Sequence, residues 1–197
     1  MMYHRNMEAL CRLQALLRLG SLIGIIGALA ACGGATPDGG TSGAGTPAAF
    51  TLTSAAFAEG QDIPATYTCD GEDRSPPLSW DGAPAAQSFA LIVDDPDAPG
   101  GSFTHWVLFD IPSSQRELPE GLAAGALGVA GRTGFGKAGF GGPCPPSGAP
   151  HRYIFTLSAL DVAMLKLPTN ASRSDVEAAM RGHVVGQAQL IGRYGRK

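Results

Sequence analysis

Charge is what this sequence has least of: Asp, Glu, Lys and Arg make up 16% of its 197 residues, against about 25% in an ordinary soluble chain. With 14 basic and 17 acidic side chains, no stripe of positive potential can form that would track a phosphate backbone, which excludes nucleic-acid binding. Catalytic signatures are missing too. No HExxH, no paired CxxC and no GxSxG occurs, so neither a zinc hydrolase helix nor a nucleophile elbow is marked. No apolar run reaches the ~20 residues of a comfortable membrane-spanning helix. Cysteine and histidine are scarce, four of each, so their positions carry weight. Glycine and proline, at 28 and 15 residues, are plentiful.

The longest apolar stretch, Leu19 to Ala31, follows Arg5, Arg12 and Arg18 and ends in small side chains. That order reads as a signal peptide over residues 1–31. Its exit, Leu29-Ala30-Ala31-Cys32, resembles a bacterial lipobox, in which the Cys32 thiol accepts a diacylglyceryl group. Acyl chains contribute about 0.8 kcal/mol per buried CH₂, so two or three anchor a protein stably. Residues 32–49 are mostly Gly, Ala, Thr, Ser and Pro, too poor in apolar surface to fold, and read as a flexible tether. Gly33 after the cysteine resembles the pattern of lipoproteins sent to the outer membrane of Gram-negative cells. The expected location is the bacterial cell envelope, facing the periplasm or the exterior.

Loss of Arg5, Arg12, Arg18 and Glu8 with the signal takes the formal charge from −3 to −5. Cys11 leaves and Cys32 is acylated, which strands Cys69 and Cys144 in an oxidising compartment. They either form a disulfide or stay as two buried thiols; the compartment favours the disulfide.

Residues 50–197 are expected to form one domain. Its short apolar runs between Pro/Gly breaks suit a mainly β, antiparallel architecture. Ser88–Asp94, Thr104–Ile111 and Arg152–Leu160 are apolar on both faces and read as central strands of a covered sheet. Weaker strands are expected near Phe50–Thr53, Ala65–Cys69 and His183–Leu190. Ser172 as N-cap, Asp175 as its capping-box partner, Val176, Ala179 and Met180 as apolar stripe and Gly182 as stop predict one helix. The span from Gly121 to Gly142 is expected to be a long surface loop.

Polar chemistry gathers in two places. Asp94-Asp95-Pro96-Asp97-Ala98-Pro99 leads to His105, and Gly141-Gly142-Pro143-Cys144-Pro145-Pro146 leads to His151-Arg152-Tyr153. Each borders a central strand, so neighbouring strands would bring carboxylates, histidines and a proline-stiffened loop to one sheet end. Together with Tyr67-Thr68-Cys69-Asp70-Gly71 and Ser75-Pro76-Pro77-Leu78-Ser79-Trp80, these motifs resemble the phosphatidylethanolamine-binding proteins, in their bacterial Raf-kinase-inhibitor-like branch. The resemblance runs from about Phe50 to the C-terminus. It implies a large central antiparallel sheet packed on a smaller one with a few peripheral helices, and a small anion pocket. By carry-over Asp95, Asp97, His105 and His151 line that pocket, Pro145-Pro146 forms a wall, and Gly142 lets backbone approach the ligand. Two departures stand out: Arg132-Thr133-Gly134-Phe135-Gly136 lacks the Asn and acidic residue usual there, and Phe140 replaces a frequent Tyr. With its end at Lys197, the chain is also expected to lack the C-terminal helix of eukaryotic members.

The functional expectation is a binding module rather than an enzyme, lipid-anchored and without cofactor, that takes a phosphate-like or phospholipid-head-group-like anion or modulates a protein partner outside the cytoplasm. A monoprotonated phosphate can give its proton to a carboxylate while accepting from His and backbone N–H groups, with tighter binding near pH 6 than pH 8. Two alternatives stay open: a metal-dependent hydrolase built on Asp94, Asp95, Asp97, His105 and His151, and an envelope structural lipoprotein with a vestigial pocket.

Overall fold

A computed structural model describes residues 48–196. The expected signal peptide, Cys32 and the expected tether up to residue 47 lie outside the described residues. Nine strands and one α-helix follow in the order β1 (Ala48–Ala49), β2 (Thr51–Thr53), β3 (Leu78–Asp81), β4 (Ser88–Asp95), β5 (Phe103–Pro112), β6 (Glu117–Leu118), β7 (Val129–Ala130), β8 (His151–Leu160), α1 (Arg173–Met180) and β9 (Val184–Tyr194). Six of them make a large sheet in the order β1-β9-β8-β4-β5-β7, and the rest a small sheet in the order β2-β3-β6. The large sheet is mixed, not wholly antiparallel: β1 runs parallel to β9, while every other pair is antiparallel.

The three strands that are apolar on both faces sit centrally, because each face of the large sheet is covered. Phe89, Leu91 and Val93 of β4 join Leu108 of β5 and Phe155 and Leu157 of β8 against Leu52, Leu78, Trp80 and Leu118 of the small sheet. Ala90 and Ile92, one residue out of phase, face the other way with Val107, Phe109 and Leu160, under Leu165 and the Val176 and Met180 stripe of α1. This two-residue alternation is the strand period, and it yields two cores from one sheet. Each large side chain so buried contributes about 2 kcal/mol. The helix begins as its sequence dictates: the Ser172 hydroxyl accepts from Asp175 N–H, and the Asp175 carboxylate accepts from Ser172 N–H at 2.9 Å.

Three expectations change. Ala65–Cys69 is no strand; Ala65–Tyr67 is a turn of 3₁₀ helix. Pro64 opens it with a fixed φ, Tyr67 N–H donates to Pro64 O, and the Thr68 hydroxyl donates to Ala65 O, so a side chain takes the acceptor a ladder would have used. The last two residues of the expected tether, Ala48 and Ala49, pair with Gly186 and Gln187. The Gly121–Gly142 excursion contains β7, which pairs with Leu108 and Phe109 of β5.

Candidate functional site

Strand order decides what meets at the sheet end. Because β4 lies between β8 and β5, the C-terminus of β4 and the N-termini of its two antiparallel neighbours share one edge, bringing Asp95, His151 and His105 together. The β4–β5 register slips there: Val93 faces Trp106 and Asp94 faces Thr104, leaving His105 as the extra residue of a β-bulge. A bulge re-aims a side chain. The His105 ring accordingly lies against Tyr153, whose neighbours in β8 belong to the inter-sheet core, with centroids 5.1 Å apart.

Each imidazole is fixed through Nδ1. His105 Nδ1 lies 2.8 Å from the Gly141 carbonyl, which only accepts, so Nδ1 carries the hydrogen and Nε2 of the neutral ring is an acceptor. Burial holds the His105 pKa below the usual histidine value, against the opposing pull of the Gly141 carbonyl and the Asp95 charge. His151 Nδ1–H donates to Asp95 Oδ2 at 2.8 Å. The other oxygen of Asp95 accepts from Asp97 N–H at 2.8 Å, so this carboxylate, 3% exposed, is oriented on both sides.

These groups floor a concavity of about 180 Å³. That is below the ~300–1,000 Å³ of drug-sized sites and suits a phosphate-sized group. Cys144, Pro145 and Pro146 line the concavity together with Pro99, Phe103 and Phe135. A disulfide joins Cys144 to Cys69, with the Cα atoms 5.4 Å apart.

Not every candidate reaches the cavity. Asp97 turns outward into a two-pronged pair with Arg152, accepting from Nε at 2.9 Å and Nη2 at 2.7 Å and also from Arg152 N–H. Those contacts hold its carboxyl far below the usual range. Gly142 gives its N–H to Asp73 Oδ1 at 2.6 Å, and a Cβ on it would sit 2.6 Å from Tyr67 O. Its smallness therefore serves packing of the wall on the Tyr67–Thr68 backbone. Asp94 points to the other sheet face, where Thr104 Oγ1 and Arg173 Nε donate to it at 2.8 Å. The five residues of a metal-hydrolase arrangement are thus split among three places. Among the described residues no three His, Cys, Asp or Glu side chains are grouped to share a metal ion.

Sequence reasoning gave no site role to Phe103 and Phe135, which line the cavity, or to Tyr153, which packs against His105. Phe135, 44% exposed, stands edge-on to Phe103 and His105 at 4.8 and 5.4 Å. A Cβ on Gly134 would strike the Phe103 ring, and one on Gly141 the Phe135 ring. A bulky aromatic in a glycine-rich loop was the available signal. Tyr153 is fully buried, and among the described residues its hydroxyl forms no hydrogen bond of good geometry, although it lies near enough to Asp95 for that carboxylate to act on it. Burial and then the Asp95 charge push its ionisation far above the ordinary phenol range, so it remains a donor.

The likeness to known proteins matches this geometry. The family profile described as phosphatidylethanolamine-binding protein matches residues 53–195. A UPF0098 protein of Aquifex aeolicus is 51% identical over 73% of this chain and 86% of its own length. The lipoprotein-type relative LppC of Mycobacterium tuberculosis is 36% identical over 87% of this chain and 92% of its own. Among solved structures, a homologue of phosphatidylethanolamine-binding protein from Chlamydia trachomatis superposes with a TM-score of 0.71 at 38% identity, covering 76% of this chain and 99% of that one. Escherichia coli YbcL, described as a member of the mammalian family, gives 0.71 at 33% identity, covering 75% and 99%. With the profile spanning most of the domain and two such structures sharing its fold, the chain belongs to the phosphatidylethanolamine-binding protein family, in its bacterial branch.

Proposed function

We propose that this protein is a lipid-anchored binding protein of the bacterial envelope, whose pocket takes a small phosphate-bearing group such as the head group of a phospholipid, free or presented by a partner. The observation that carries this reading is the pair of imidazoles pinned through Nδ1 by the Gly141 carbonyl and the Asp95 carboxylate. Both Nε2 atoms are thereby left for a ligand, in a cavity of about 180 Å³ with apolar walls. Neutral His105 Nε2 accepts, so it favours an anion that still carries a proton, and the preference for low pH arises on the ligand. The anchor rests on Cys32 and on the reach of the LppC likeness. At 87% of 197 residues, about 171, a continuous match must start at or before about residue 27 and so takes in Cys32.

The first described strand and the pocket lie at opposite ends of the large sheet. β1 joins β9 at Gly186, opposite Ala159, whereas the pocket lies at the His151–Tyr194 end of the same ladder.

The test is calorimetric titration of the purified protein with phosphorylethanolamine at pH 6 and pH 8, on the native chain and on His105→Gln. Binding should tighten at least severalfold at pH 6, because with a second pKa of about 6 the phosphate is about half monoprotonated there but only about one per cent so at pH 8, and should weaken in the variant. Tighter binding at pH 8 would overturn the reading.

A further inference from the structure

We propose that the Cys69–Cys144 disulfide is a thiol-exchange site that sets the shape of the pocket, so that an extracytoplasmic dithiol can switch ligand affinity. This rests on the binding reading given above.

Both cysteines are exposed, although they join segments 75 residues apart. Exposed disulfides are the ones open to attack by a thiolate. Their position makes exchange consequential. Cys144 lines the pocket and is followed directly by Pro145 and Pro146 of the same wall. Between residues 143 and 150 four of the eight residues are proline and have no N–H to donate. The wall is tied to the loop beneath it by Cys69 N–H to Pro143 O at 3.1 Å, by Gly142 N–H to Asp73 Oδ1, and by the disulfide. At its far end Ser147 bridges Arg196. Cutting the covalent tie leaves the pocket-lining stretch Cys144–Pro146 held only at its ends. Three residues upstream, the Gly141 carbonyl holds His105 Nδ1, so slack in the wall reaches the imidazole as well.

The chemistry is thiol–disulfide exchange. A partner thiolate attacks one sulfur, an S–S bond forms to the partner, and the other cysteine leaves as a thiolate and is protonated. The partner's second thiol then displaces the first cysteine. Net, the partner dithiol is oxidised to a disulfide and this protein gains two thiols. Linkage makes the coupling reciprocal: a ligand that needs the closed wall must also protect the disulfide from reduction.

The experiment uses the full chain in detergent micelles, oxidised and then reduced with dithiothreitol, with Cys69→Ser/Cys144→Ser as a form that cannot re-oxidise. Near-ultraviolet circular dichroism checks that each form is folded. Inorganic phosphate should bind the reduced and double-serine forms about tenfold more weakly than the oxidised form. It should shift the equilibrium of reduction by dithiothreitol toward the oxidised form by a similar factor. Independently of any ligand, exchange of the hydrogen-bonded amides of Cys69, Gly141 and Gly142 should quicken at least about tenfold on reduction. If the oxidised form fails to bind phosphate, the pocket reading falls, and amide exchange alone decides the switch. Wall amides unchanged on reduction, or affinities within about twofold of each other, overturn it, as does a disulfide that dithiothreitol reaches only after denaturation.

Discussion

A single histidine shows how much depends on one added residue. The β-bulge at His105 turns a side chain that would follow Val107 into the helix-side core toward Tyr153 and the pocket. Under it, the Tyr153 hydroxyl is one of two buried side-chain polar atoms without a partner among the described residues, the other being Trp80 Nε1. An unsatisfied buried hydroxyl costs about 1–3 kcal/mol. Tyr153→Phe should therefore stabilise the domain by about 1 kcal/mol in urea denaturation, because it removes the penalty and keeps the ring against His105. A loss of stability would mean that the hydroxyl is satisfied in solution. Asp95, His105 and His151 were legible in the sequence because scarce polar residues bordered strongly apolar strands. The destinations of Asp97 and Gly142 were not. Asp97 is two residues from Asp95, yet the register sets Arg152 beside it, and no local pattern discloses a partner 55 positions away.

At the scale of elements, legibility follows burial. β4, β5 and β8 announce themselves because both faces are covered and nearly every residue is apolar. β3 and β6 are short and lie close to prolines, and β1 is two alanines whose pairing is set entirely by the β9 edge. The helix was legible for a different reason: its start is written in local chemistry. The capping box of Ser172 and Asp175 satisfies amides that otherwise have no intrahelical partner. Ser172→Ala should lower stability by about 1 kcal/mol, seen as a drop in melting temperature of a few degrees. Because α1 packs on the sheet face opposite the inter-sheet core, phosphate affinity should be unchanged. A variant that lost affinity with little loss of stability would show that α1 acts on the pocket through Asp94 and Arg173.

For the whole molecule, the same disulfide that shapes the pocket wall also constrains the unfolded chain. Closing a loop of 75 residues removes denatured-state entropy worth about 4 kcal/mol at 25 °C. That is a large share of the ~5–15 kcal/mol by which domains are usually stable. Yet most of the two cores comes from β4, β5, β8, β9, the small sheet and α1, with Tyr67 the core side chain nearest the link in sequence. The reduced protein should therefore stay folded at room temperature but melt roughly 10–15 °C lower, since a domain of this size loses about 2–4 °C per kcal/mol. Differential scanning calorimetry with and without dithiothreitol measures the difference. A fall of only a few degrees would mean that the unfolded chain is already compact around the Cys69 and Cys144 segments. Outright unfolding would mean that the wall is part of the cooperative core, and an affinity switch in a folded domain would then be ruled out. The predicted window lies between those outcomes: enough stability lost to register thermally, and enough fold kept for the pocket to open and close.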